Sequence, residues 1–181
     1  EQRHSSLASS VIDAANGLAY FGTQSYPGAV IKVDLATFTS VAVLTLLEDE
    51  GDLDSAAFDP ANGYAYFVAD TDPGKVVRVD VNPARPFARV AALTLDEGEA
   101  WPDTAVIDPG NGYLYLGLDV WPDPRVVKVD VSPARPFARV AAVKLRDDEY
   151  APTCAVIDTA AGYAYFGTYT EPGNVVKIDV N

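Results

Sequence analysis

Apolar positions in this chain alternate with polar or small ones in short runs, and each run is cut off by Asp, Asn, Gly or Pro. Segments such as GYAYFGT and GYLYLGL alternate aromatic with small or aliphatic residues, which predicts a strand with two unlike faces. Ahead of each lies a short apolar segment, SSVID, SAAFD, TAVID or CAVID, expected to be a strand buried on both faces. Gly17, Gly63, Gly112 and Gly162 end the connection between the two and can supply the positive φ of a bulged hairpin. A loop with Pro follows (QSYPGA, DTDPGK, DVWPDPR, YTEPGN). Next comes a third segment, VIKVD, VVRVD, VVKVD or VVKID, whose basic residue is expected to face solvent. The fourth segment, TSVAVLTL, ARVAALTL or ARVAAVKL, is more polar and predicts an edge strand.

The pattern is periodic. Asp13, Asp59, Asp108 and Asp158 are spaced by 46, 49 and 50 residues, and Asp34, Asp80, Asp130 and Asp179 by 46, 50 and 49. Two independent markers with one period define a tandem repeat, and four antiparallel strands per repeat predict one blade of a β-propeller. The expected fold is therefore all-β: one domain over 1–181 with about four four-stranded blades at roughly 9–54, 55–103, 104–153 and 154–181. The last copy reaches Asn181 after its third segment, so its blade lacks a fourth strand. Three arrangements fit this: a four-bladed ring with an incomplete blade, part of a longer seven- or eight-bladed ring, or an open edge completed by another molecule. The repeat AVIDPxNGYAYFGTxxxPGxVVKVD resembles propeller repeats of the YVTN and NHL type, and it lacks the Gly-His and Trp-Asp signatures of WD-repeats. Over nearly the whole chain this resemblance implies a propeller. Such families include scaffolds, surface proteins and a few enzymes, so it implies no single function.

Charge narrows the partners. The formal net charge of −13 over 181 residues disfavours nucleic acid and anionic membranes, and no apolar run is long enough to span a bilayer. A single cysteine, Cys154, excludes an internal disulfide and is expected to be a small buried residue in the place of Ser55 and Thr104. His4, the only histidine, falls in an expected loose terminus, which excludes multi-histidine metal sites. The chain begins EQRHSS and contains no Met, so it is read as a processed or trimmed product, with an extracellular or cell-surface location expected.

The eight framework aspartates belong to turns on one side of the blades and are expected to be structural. The opposite side collects the acidic loops. Its candidate metal ligands are Asp49, Asp52, Asp54, Asp70, Asp72, Glu97, Glu99, Asp103, Asp147, Asp148 and Glu149. Oxygen-rich loops of this kind suit Ca²⁺, the one cofactor the sequence suggests; the alternative is a solvated acidic rim. Tyr26, Trp101, Trp121, Tyr150 and Tyr169 share that side and are candidate ligand-binding residues, able to stack on a sugar ring or a protein. Arg85, Arg89, Arg135 and Arg139 in the repeated PARPFARV are expected to pair with framework aspartates.

No catalytic constellation emerges, so the expected function is a non-enzymatic structural or protein-interaction module. Its partners would be other protein subunits, in a homo-oligomer or strand-complemented assembly. The alternatives are a calcium-dependent or lectin-like module taking carbohydrate on the acidic, aromatic face, and a propeller hydrolase or lactonase, which is disfavoured.

Overall fold

Each blade corner is closed by its own aspartate. The Asp13 carboxylate accepts bonds from the backbone N and side-chain Nδ2 of Asn16 (3.2 and 2.7 Å), and Asp59 and Asp108 do the same with Asn62 and Asn111. Gly17, Gly63, Gly112 and Gly162 follow with φ of 65–75°, so the hairpins form as expected. At the far end of each third strand, Asp34, Asp80, Asp130 and Asp179 accept bonds from amides two residues on.

A computed structural model describes residues 6–181; His4 lies outside the described residues. Blade 1 comprises β1 (Leu7–Asp13), β2 (Leu18–Thr23), β3 (Ala29–Asp34) and β4 (Thr39–Thr45). Blade 2 comprises β5 (Leu53–Asp59), β6 (Tyr64–Ala69), β7 (Lys75–Asp80) and β8 (Ala88–Thr94). Blade 3 comprises β9 (Pro102–Asp108), β10 (Tyr113–Leu118), β11 (Arg125–Asp130) and β12 (Ala138–Lys144). Blade 4 comprises β13 (Pro152–Asp158), β14 (Tyr163–Thr168) and β15 (Val175–Asp179). Every sheet is an antiparallel meander in chain order, with four strands in blades 1–3 and three in blade 4. No helix among the described residues is long and apolar enough to cross a membrane.

The core is divided among the three junctions between neighbouring blades. Inner strands β1, β5, β9 and β13 pack one against the next, but β13 does not return to pack on β1, so the blades form an open arc. The arc excludes a four-bladed closed ring. It also corrects the expectation that first strands are buried on both faces: β1 leaves Ile12 59% exposed and β13 leaves Val156 67% exposed. Cys154 is exposed for the same reason, whereas its counterparts Ser9 and Thr104 are buried.

Lys177 on the last third strand faces solvent as alternation suggested, but Lys32, Arg78 and Lys128 are half-buried against aromatic rings of their own or the next blade. The Arg78 guanidinium lies 4.3 Å from the Phe137 ring of the next blade and donates to Val131 O (3.0 Å). Lys128 lies 4.0 Å from the Tyr113 ring, and Lys32 faces Phe87 at 5.8 Å. Stacking a cation on an aromatic face preserves part of its stabilisation as water leaves.

Candidate functional site

The acidic rim is more ordered than its composition suggests. Each link between blades folds as a four-residue turn whose last glutamate reaches back to the first amide. Leu47 N donates to Glu50 Oε2 (3.2 Å), Asp96 N to Glu99 Oε2 (3.2 Å) and Arg146 N to Glu149 Oε2 (3.0 Å). Glu50 and Glu99 are buried, and each is held by an arginine on the outer strand of the next blade. Arg89 Nε donates to Glu50 Oε2 (2.7 Å), and Arg139 Nη2 to Glu99 Oε1 (2.6 Å). These bonds raise the Arg89 and Arg139 pKa values further. Arg85 and Arg135 do pair with framework aspartates, Asp80 and Asp130. For Arg89 and Arg139 that expectation is corrected: their partners are link glutamates. Spacing within one repeat did not reveal this, because the pair joins two repeats.

Glu99 is therefore a structural buried anion, unavailable to a surface metal. Asp49 pairs with Lys75, and Glu149 with Arg146 at 2.8 Å. Asp148 lies 3.4 Å from Arg146, while Glu97 and Asp147 are exposed. Asp54, Asp70, Asp103 and Asp119 crowd the ends of the first and second strands of blades 2 and 3. Partial burial pushes Asp70 up to about 6, helped by Asp54, Asp52 and Asp119. Burial likewise pushes Asp103 up to about 6, helped by Asp70, Asp119 and Asp54. One Asp70 oxygen is buried with no hydrogen-bond partner, and Asp54 accepts from Gln24 Nε2 (2.9 Å). Among the described residues no three His, Cys, Asp or Glu side chains are grouped as a metal site.

The five candidate aromatics fall into two grooves. In all four blades the loop between second and third strands contains a cis proline, preceded by Tyr26, Asp72, Trp121 or Glu171. Tyr26 and Trp101 line a groove of about 590 Å³ with Asp49, Asp70, Asp72 and Lys75. Burial, then a bond to Asp52, raises the Tyr26 pKa. Trp101 takes a positive φ of 49°, a conformation shared by Asp52 and Ala151 at the matching place in the other links. Trp121, Tyr150 and Tyr169 line a second groove, of about 420 Å³, with Asp119. Trp121 and Tyr150 meet edge to face at 5.6 Å.

A second surface lies on the blade faces at the two ends of the arc. At each junction a second-strand tyrosine donates across to the carbonyl that follows the third strand of the next blade: Tyr20 to Val81 O, Tyr66 to Val131 O and Tyr115 to Val180 O, all at 3.1 Å. Burial, the largest cause, raises each of these hydroxyls to about 12. Tyr165 holds the matching place in blade 4, beside Cys154, Val156, Gly167 and Val175, in an exposed apolar depression. At the other end of the arc, blade 1 presents Phe38 at 84% exposure, although its counterparts Phe87 and Phe137 pack against the preceding blade. Phe38 repeats Phe87 and Phe137 in the sequence, and among the described residues no blade packs against it.

No family model matches this chain, and no curated protein sequence matches it. Solved structures do. A chain of a nidogen/laminin complex superposes with a TM-score of 0.68 at 12% identity, covering 96% of this chain and 60% of that one. The Cps50 (Swd1) β-propeller domain from Myceliophteria thermophila gives 0.69 at 15% identity, with coverages of 98% and 53%. A hypothetical selenium-binding protein from Sulfolobus tokodaii gives 0.75 at 14% identity, with coverages of 97% and 52%. The fold is that of a β-propeller. This chain spans little more than half the length of the structures it matches.

Proposed function

We propose that this chain is a non-enzymatic structural and protein-interaction propeller module of YVTN/NHL-like type, acting outside the cell or at its surface. The observation that carries this reading is the unfinished blade 4. β15 pairs only with β14 among the described residues, and Val175 on it is 75% exposed. An unpaired strand edge beside apolar surface is a template for another protein segment. Glu149 sets the chemistry of that segment. Glu50 and Glu99 each take an arginine from the fourth strand of the blade that follows, and in blade 4 no such strand faces Glu149. The partner is thus an extended segment, apolar at alternate positions, with an arginine near its start.

The test is the octapeptide ARVAALTL, the sequence of residues 88–95, titrated into the chain under hydrogen exchange. The outward-pointing amides of β15 should slow by about tenfold or more at saturation, and an Arg-to-Ala peptide should bind more weakly. Unchanged exchange in β15 at saturating peptide contradicts the reading.

The groove of Trp121, Tyr150, Tyr169 and Asp119 favours a second reading, a lectin-like module. Aromatic faces beside a carboxylate suit the apolar face and hydroxyls of a carbohydrate ring. Calcium would be its cofactor, placed among the rim carboxylates. A glycan array run with and without Ca²⁺ tests it: binding lost on Trp121→Ala supports it, and no binding in either condition contradicts it.

A further inference from the structure

The two exposed ends of the arc carry residues equivalent to the two sides of an internal junction. Where blade 2 meets blade 3, blade 2 contributes Tyr66, Val76 and Arg78, and blade 3 contributes Leu116, the Val131 carbonyl and Phe137. Blade 4 carries the first half uncovered: Tyr165, Val175 and Lys177 occupy the register positions of Tyr66, Val76 and Arg78. Val175 is 75% exposed where Val76 is fully buried. Blade 1 carries the second half uncovered. Phe21 matches Leu116, Phe38 matches Phe137, and Leu35 matches Val131. The backbone fixes that last equivalence: Leu35 N donates to Gly17 O (2.9 Å) as Val131 N does to Gly112 O (2.9 Å).

The blade 1 face is apolar well beyond these residues, with Leu7 53%, Ile12 59% and Val43 45% exposed. Their blade 2 counterparts are Leu53, Phe58 and Ala92, all packed in the first junction. Clustered apolar side chains facing water mark sites of protein contact.

We propose that a second copy of this chain seats its blade 1 on blade 4 of the first, in the geometry of the internal junctions, and that the pair closes into one ring. This rests on the reading of the chain as an interaction module, but it uses the blade faces rather than the edge of β15. The Tyr165 hydroxyl donates to Leu35 O of the second copy, and Phe38 of the second copy packs on Tyr165 and Lys177. The contact is heterologous, so repeating it gives a closed ring or an open filament according to the rotation. Two four-bladed arcs joined at both ends leave no open blade face, so the proposed contact closes at two copies.

Light scattering on the purified chain, with circular dichroism to confirm folding, tests this. The wild type is expected at twice 19.3 kDa. Phe38→Asp and Val175→Asp change exposed side chains, and each alone should run as a folded monomer. Mixed in equal amounts, the two variants should recover a species of double mass. The Phe38→Asp copy retains an intact blade 4 face and the Val175→Asp copy an intact blade 1 face, so one good junction forms. A wild-type monomer, an open-ended ladder of masses, or variants that stay apart on mixing would each overturn the proposal. Slowing of β15 exchange by the octapeptide in a chain that stays monomeric would leave the interaction reading standing without the second copy.

Discussion

Tyr66 and Tyr165 hold the same place in two copies of one repeat, and their surroundings differ completely. Tyr66 is fully buried, its hydroxyl bonded to Val131 O and its ring beneath Arg78. Tyr165 stands at the open end of the arc, next to Val156 and Val175 at 67% and 75% exposure. The repeat specifies the surface a blade presents, and the neighbouring blade decides whether that surface is core or binding site. The inside of the arc is the template for whatever covers its ends.

The largest effect expected from this contrast is in apolar burial. Phe67, fully buried in the first junction, should cost about 3–5 kcal/mol on truncation to Ala in urea unfolding. Phe38→Ala, at 84% exposure, should stay within about 0.5 kcal/mol when measured on dilute protein. Equal costs would erase the distinction between junction and open face.

The link glutamates come next. Glu99→Ala strips the Arg139 guanidinium and the Asp96 amide of a buried acceptor and should cost about 2–3 kcal/mol. Glu149→Ala loses the bond from the Arg146 amide and a pair with the exposed Arg146 guanidinium, and should cost less than about 1 kcal/mol. Binding of the octapeptide ARVAALTL should narrow that gap.

A smaller difference separates the tyrosines. Tyr66→Phe leaves the buried Val131 carbonyl without the tyrosine's bond and should cost about 1–2 kcal/mol. Tyr165→Phe should leave the dilute chain unchanged and weaken association instead.

The division between what the sequence made legible and what it did not follows these same residues. Asp13, Gly17 and their repeats act within a few positions of themselves, so spacing alone identified the turns and the blade. Lys32, Arg78, Cys154 and Glu99 depend on a partner some 40 to 60 residues away or on a missing neighbour. Period-two alternation distinguishes the two faces of a strand but does not tell a face toward water from a face toward another blade. The aromatics form one group along the sequence, but the fold divides them into two grooves because Tyr26 and Trp121 sit on loops of different blades.

The smallest effect lies on the rim. Asp70 and Asp103 hold protons more tightly in the folded chain, near 6, than at the ordinary value of 3.8. Folding therefore takes up protons between these values, and the two groups lower stability progressively as pH rises from about 4 to about 6. Asp70→Asn should stabilise the chain by about 1 kcal/mol at pH 7, a half-buried group being partly screened, and by much less at pH 4. Thermal melts at the two pH values measure it, and a variant less stable than wild type at pH 7 would remove repulsion as the cause.

Cys154 supplies the most direct measurement, because the single thiol of the chain lies on the open face of blade 4. At the first junction the corresponding Ser9 is buried, with its hydroxyl bonded to Leu53 O of the next blade. Labelling with a thiol reagent across about a hundredfold dilution should show a protected thiol in concentrated wild type and a reactive one on dilution. In Phe38→Asp it should react at every concentration. If Cys154 reacts equally fast in both proteins at all concentrations, the ends of the arc do not meet, and the account of them as one divided junction is wrong.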